Sequence, residues 1–256
     1  MNRRRFLTGA AALLCAASTA VAAPSAQAQT LAEVLALAQT PVGGRASVGG
    51  PTPAGGLFGS VEFTNASLRG LPQWQKILSH MASDGPAFAE CTGNSEHCGT
   101  PAFRSWRKLQ IAAAPLARMD KLHAVNRFFN RWPYKTDREI YGRREFWASP
   151  SEFMARSGDC EDYAIAKFFA LRQLGFGSEE LRIVVLYDRI RNIGHAVLAV
   201  YEPNDILILD SLSNFITSHT RYRHYIPQYS MNETTRWAHV DHNRAIPRTA
   251  FRASDQ

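Results

Sequence analysis

Cysteine is scarce in this chain, four among 256 residues, and acid is the minority charge, with 22 Asp and Glu against 29 Lys and Arg. Thiols spread as Cys15, Cys91, Cys98 and Cys160 exclude a small disulfide-stapled scaffold and a zinc framework built on paired cysteines. After the first thirty residues no apolar run is long enough to span a bilayer. Repeats are absent, and low complexity is confined to one glycine-rich stretch. Arginine-rich patches such as Asn126 to Trp132 come with no nucleic-acid-binding motif, so the basic surplus reads as a solvated face.

What is present begins with MNRRRFLTGAAALLCAASTAVAAPSAQAQT, a basic start, a small and apolar run, and small-residue cleavage sites. This is an export signal over residues 1–28, not a membrane span. Arg3, Arg4, Phe6 and Leu7 fit a twin-arginine pattern. Its removal takes away three arginines and Cys15, leaving 228 residues with 26 basic and 22 acidic side chains, enough for one well-cored domain. In an oxidising compartment Cys91 and Cys98 read as a disulfide across a turn, which leaves Cys160 a free thiol. A zinc site of Cys91, His97 and Cys98 lacks a second ligand pair.

Residues 29–60 read as a flexible Gly/Pro-rich arm and 61–256 as the folded domain. Apolar spacing predicts helices over 72–81, 102–113 and 116–131, the last carrying Leu116, Met119, Leu122, Val125, Asn126 and Phe129 on its packed side. Ser149-Pro150-Ser151-Glu152 has the form of a capping box and starts a short helix that ends near Ser157. A helix from Cys160 aligns Ala164, Ile165, Phe168, Leu171 and Leu174 in one buried stripe and stops at Gly175. Extended runs follow over 182–188, 195–202 and 206–213, the last two joined through Glu202-Pro203-Asn204-Asp205 as an antiparallel hairpin. The predicted class is α+β, a helical N-terminal part packed on an antiparallel sheet.

Cys160 opens a helix, where inward-pointing N–H groups and the positive end of the dipole favour thiolate over thiol. A thiol nucleophile needs a base, and the base needs an acceptor to orient it. With Pro203 and Asn204 at the turn centre, His195 faces Leu212, and Asp210 lies two residues away on the same face, roughly 7–8 Å by backbone. Cys160, His195 and Asp210 are therefore the candidate nucleophile, general base and orienting carboxylate. Asp159, Glu161 and Asp162 oppose this chemistry, because neighbouring carboxylates raise a thiol pKa. They read either as helix caps or as oxygen ligands of a bound calcium ion.

The segments VNRFFNRWPY (125–134), REFWASPSEFM (144–154), GDCEDYAIAKFFALRQLG (158–175), LRIVVLYD (181–188), GHAVLAVY (194–201) and ILDSLSNFI (208–216) resemble the bacterial transglutaminase-like cysteine peptidases, whose LapG-type members are periplasmic adhesin proteases. The resemblance implies a papain-like or transglutaminase-like core with Cys160, His195 and Asp210 as the triad. It implies calcium bound through Asp159 and Glu161, with Asp162 beside them. It further implies a periplasmic cysteine endopeptidase that cuts the N-terminal region of a large secreted adhesin and is sequestered by an inner-membrane cyclic-di-GMP receptor. Ser211 stands where these proteins often carry asparagine. A transglutaminase or amidase using the same acyl-enzyme, and a non-catalytic calcium-binding module, are the competing readings.

Overall fold

The computed structural model describes residues 56–65, 67–90 and 99–240. The export signal, most of the arm and the Cys91/Cys98 pair lie outside the described residues. Six helices precede most of a seven-stranded sheet: α1 (Pro72–Glu90), α2 (Pro101–Ala113), α3 (Arg118–Phe129), α4 (Asp137–Tyr141), α5 (Pro150–Arg156) and α6 (Cys160–Gln173). The strands are β1 (Val61–Asn65), β2 (Leu181–Asp188), β3 (Ile193–Glu202), β4 (Asp205–Leu209), β5 (Thr217–Ser218), β6 (Tyr225–Met231) and β7 (Arg236–Val240). They run antiparallel in the order β1-β7-β6-β2-β3-β4-β5. This is the expected α+β arrangement.

Period-two alternation divides each central strand between two cores. Leu181, Ile183, Leu198, Val200 and Leu209 pack with the helices, whereas Val184, Leu186, Val197, Ala199, Ile206 and Ile208 pack on the opposite face with Leu57, Phe58 and Tyr225. Leu57 is fully buried, so the folded unit includes residues assigned to the arm, whose expected end at residue 60 is too late. The cause is apolar: these two side chains cover a sheet face that would otherwise meet water.

Helix α6 is the hub. Every residue from Asp162 to Leu171 is buried, including Lys167, rather than the single stripe that the spacing predicts. The sheet covers one side while α3 and α5 cover others, a setting in which a helix is apolar all round. Trp74 of α1 is fully buried and meets Phe168 edge-on at 5.7 Å and Phe169 at 5.8 Å, each contact worth about 1 kcal/mol beyond area burial.

Other expectations shift in detail. Helix α1 continues nine residues past Met81, and Leu116 and Met119 are exposed rather than packed. The third extended run ends at Leu209, so Asp210 leaves the ladder. In β6, Pro227 has no N–H to donate, and the pairing with β2 slips by one residue between Val185 and Leu186, as expected of proline in a sheet.

Candidate active site

The approach to Cys160 is set by two unusual backbone positions. Ser157 takes φ 74° after α5, at a cost of about 1–2 kcal/mol for a residue with a Cβ. At Gly158 a Cβ would lie 2.1 Å from Asp162 Oδ2. Only glycine lets that carboxylate fold back over the turn, where Oδ2 accepts the Asp159 N–H at 3.3 Å and Oδ1 the Ala148 N–H at 2.7 Å. A parallel bridge joins Tyr134 to Gly158, and the Lys135 N–H donates to the Gly158 carbonyl at 3.0 Å. This tie brings α4, and with it Asp137, against the start of α6.

The β3–β4 register pairs Glu202 with Asp205 and Leu198 with Leu209, which centres the turn on Pro203 and Asn204 as expected. His195 Nε2 lies 2.9 Å from Asp210 Oδ1, with both residues buried. Asp210 also accepts the Leu212 N–H at 3.0 Å and the Tyr225 hydroxyl at 2.6 Å. Burial works to raise its pKa, but the hydrogen bond and charge of His195, with the bonds from Tyr225 and Leu212, hold it at about 2. With Nε2 engaged, Nδ1 is the imidazole nitrogen left for a proton transfer. The backbone N–H of Ala196, next in chain to His195, works to lower the Cys160 pKa. The structure therefore pairs His195 with Asp210 and packs α6, whose first residue is Cys160, against β3, which carries His195.

The acids form two overlapping groups. Asp159 and Glu161 gather with Cys160, and Asp159 and Asp162 gather with Asp137, each group offering ligand atoms within 4.8 Å of one another. Cys160 is a free thiol whose Sγ donates to Glu161 Oε2 at 3.3 Å. Burial, then the charges of Glu161 and Asp159, push its pKa well above the usual thiol value, against the pull of the Ala196 N–H. Burial and the charge of Asp159 likewise push Glu161 and Asp162 well up, and Asp137 up to about 7.

Oδ1 of Asp137 and Oδ1 of Asp159 are buried without a hydrogen-bond partner. Hard carboxylate oxygens, crowded and unpartnered, match the donor set of a calcium ion. Asp137 was not among the residues singled out from the sequence. Its signal was the Thr136-Asp137-Arg138-Glu139 capping box, although a cap predicts a helix start, not a neighbour twenty-two residues on. Lys167 was missed too: fully buried, its ammonium has no hydrogen-bond partner, and burial lowers its pKa to about 7 while Asp210 draws it back up.

Comparisons with known proteins give the family and the fold. The family model described as bacterial transglutaminase-like cysteine proteinase matches residues 82–245. The fold is similar to that of LapG from Legionella pneumophila, 33% identical over 64% of this chain and 86% of that one, with a TM-score of 0.50. A calcium-bound form of that protein matches equally, and an EGTA-treated form matches at 32% identity over 66% and 89% of the two chains, TM-score 0.50. No curated protein matches the chain.

Proposed function

The chain belongs to the bacterial transglutaminase-like cysteine proteinase family, and on that premise we propose that it is an endopeptidase whose triad is Cys160, His195 and Asp210. The observation that carries the reading is the buried 2.9 Å contact of His195 with Asp210, on a strand that packs against the helix opened by Cys160. The Cys160 proton passes to His195 Nδ1 and Sγ attacks the peptide carbonyl. First-turn N–H groups of α6 steady the developing oxyanion. His195 then protonates the leaving amine, and water, deprotonated by His195, resolves the thioester. Asp210 holds the ring and its positive charge through these steps.

Calcium belongs to the same proposal, supported by the unpartnered oxygens of Asp137 and Asp159 and by the calcium-bound LapG. Asp137, Asp159 and Asp162 would hold the ion, and Glu161 stands next to it. Bound there, it supplies positive charge that offsets the acids beside the thiol.

The LapG-like motif around Cys160 supports a periplasmic setting, a secreted adhesin cut near its N-terminus so that adhesion or biofilm is controlled, and regulation by an inner-membrane cyclic-di-GMP receptor. Among the described residues no helix is long and apolar enough to cross a membrane. The test is incubation of the purified protein with N-terminal adhesin fragments, with calcium or with a chelator. Two new peptide termini and no added amine are expected from the calcium-loaded protein. Cleavage by Cys160→Ala would sink the triad, and cleavage undiminished after thorough chelation would sink the calcium role.

A further inference from the structure

Two ring contacts from His195, through Tyr225 to His224, the protein carries a concentrated positive charge. The β2–β3 turn and the segment before β6 enclose an open depression of about 450 Å³ lined by Arg189, Ile190, Arg221, Arg223 and His224. No acid is among these five lining residues. Asp188, at the base of the turn, is fully buried and already committed: its carboxylate accepts the Ile190 N–H at 2.9 Å and pairs with Arg191 Nη1 at 2.8 Å. The two walls are fastened together by the Arg189 N–H, which donates to the His224 carbonyl at 3.1 Å. The charge is thus displayed on a fixed frame.

The depression adjoins the reacting groups. The His224 and Tyr225 rings lie 4.5 Å apart, Tyr225 and His195 lie 5.7 Å apart, and Tyr225 donates to Asp210. The two imidazole centroids therefore lie within about 10 Å of one another, or about three residues of extended chain at roughly 3.3 Å each. The start of α6 has the opposite character, since Asp137, Asp159, Glu161 and Asp162 gather there. An acidic side chain is therefore drawn to the arginines rather than to that cluster.

We propose that this depression is a substrate subsite that receives an acidic side chain of the polypeptide about three residues from the scissile bond. The inference rests on the endopeptidase reading and specifies the chemistry of its substrate. Arginine suits the task, since its fork pairs a carboxylate through two hydrogen bonds.

The test uses the full chain as Cys160→Ala and two fluorescent peptides that share an Ala-Ala centre. One carries glutamates three residues to either side, the other glutamines. Anisotropy titration should show the glutamate peptide binding about tenfold tighter, from exposed pairs of modest individual strength. The advantage should vanish in high salt and in a variant that adds Arg189→Ser and Arg221→Ser. Equal affinity for both peptides, or an advantage that survives the arginine changes, overturns the subsite. So does equally tight, equally arginine-dependent binding of oligothymidylate or phosphatidylglycerol vesicles, which would reveal an unselective anionic surface. If the wild type cleaves neither peptide, the endopeptidase reading is what suffers, while binding to Cys160→Ala still decides the subsite. The thermal midpoint of the variant that adds Arg189→Ser and Arg221→Ser should match that of Cys160→Ala, showing that the fold survives.

Discussion

The two ends of α6 are made of the same backbone and treat their polar groups in opposite ways. At the C-terminal end almost everything is paired. Arg172 Nε donates to Glu233 Oε1 at 2.6 Å, Trp106 Nε1 to Gln173 Oε1 at 2.6 Å, Gln110 Nε2 to the Ala170 carbonyl at 3.2 Å, and Lys121 Nζ to the Leu174 carbonyl at 3.2 Å. Gly175 then turns the chain at φ 92°. At the N-terminal end, carboxylates crowd one another and two of their oxygens have no partner. Groups are satisfied at one end and left over at the other, where the proposed cation and substrate would bind.

The contrast breaks most sharply at the thiol. Cys160→Ala should lower kcat/KM by about four orders of magnitude while leaving the thermal midpoint nearly unchanged, and matched cleavage and melting assays check both. Asp210→Asn should cost about a hundredfold or more in kcat/KM by releasing the imidazole. It should also flatten an acid limb of stability. Held at about 2 in the fold and near 3.8 unfolded, Asp210 contributes stability that is present above about pH 4 and lost as pH falls toward 2, of order 2 kcal/mol. Denaturant midpoints of both proteins across that window give the comparison.

Asp137→Asn tests whether the crowded acids are an ion site. Calcium at about a hundred times its dissociation constant should stabilise the wild type by about 2.7 kcal/mol. The variant should lose most of that gain, and without calcium it should melt at or above the wild-type temperature because a crowded charge is gone. A calcium-dependent rise equal to that of the wild type would remove Asp137 from the site.

At the opposite end, Arg172→Met should cost about 2 kcal/mol by leaving the nearly buried Glu233 without its cation, with only the Ser178 hydroxyl as partner, and kcat/KM should stay within about twofold of wild type. Gly175→Ala should cost about 1 kcal/mol through its positive φ alone, since nothing lies within 4 Å of the added methyl. A larger loss of activity than of stability in either variant would mean that the two ends are coupled through the helix.

Local pattern carried much of this protein. The capping box at Ser149, the start of α6 at Cys160 and the turn at Pro203-Asn204 could be read because each is decided by residues a few positions apart. The hairpin register then set Asp210 toward the His195 side, one residue beyond the end of the ladder. The strands near the C-terminal end were not legible, since β6 holds a proline and β7 alternates weakly, and both exist by pairing with partners far away in sequence. Leu57 and Phe58 were assigned to an arm for the same reason: the sheet face they cover is built by later residues.

The sequence by itself determined the order of the proposed nucleophile, base and orienting acid, because periodicity and turn chemistry act over short distances. Only the tertiary structure decided that Asp137 joins Asp159 and Asp162, through the tie between Tyr134 and Gly158. It alone placed the arginines of two separate turns around one depression with His224, two ring contacts from His195. Charges far apart along a chain meet only when the packing of apolar surfaces has fixed the backbone that carries them.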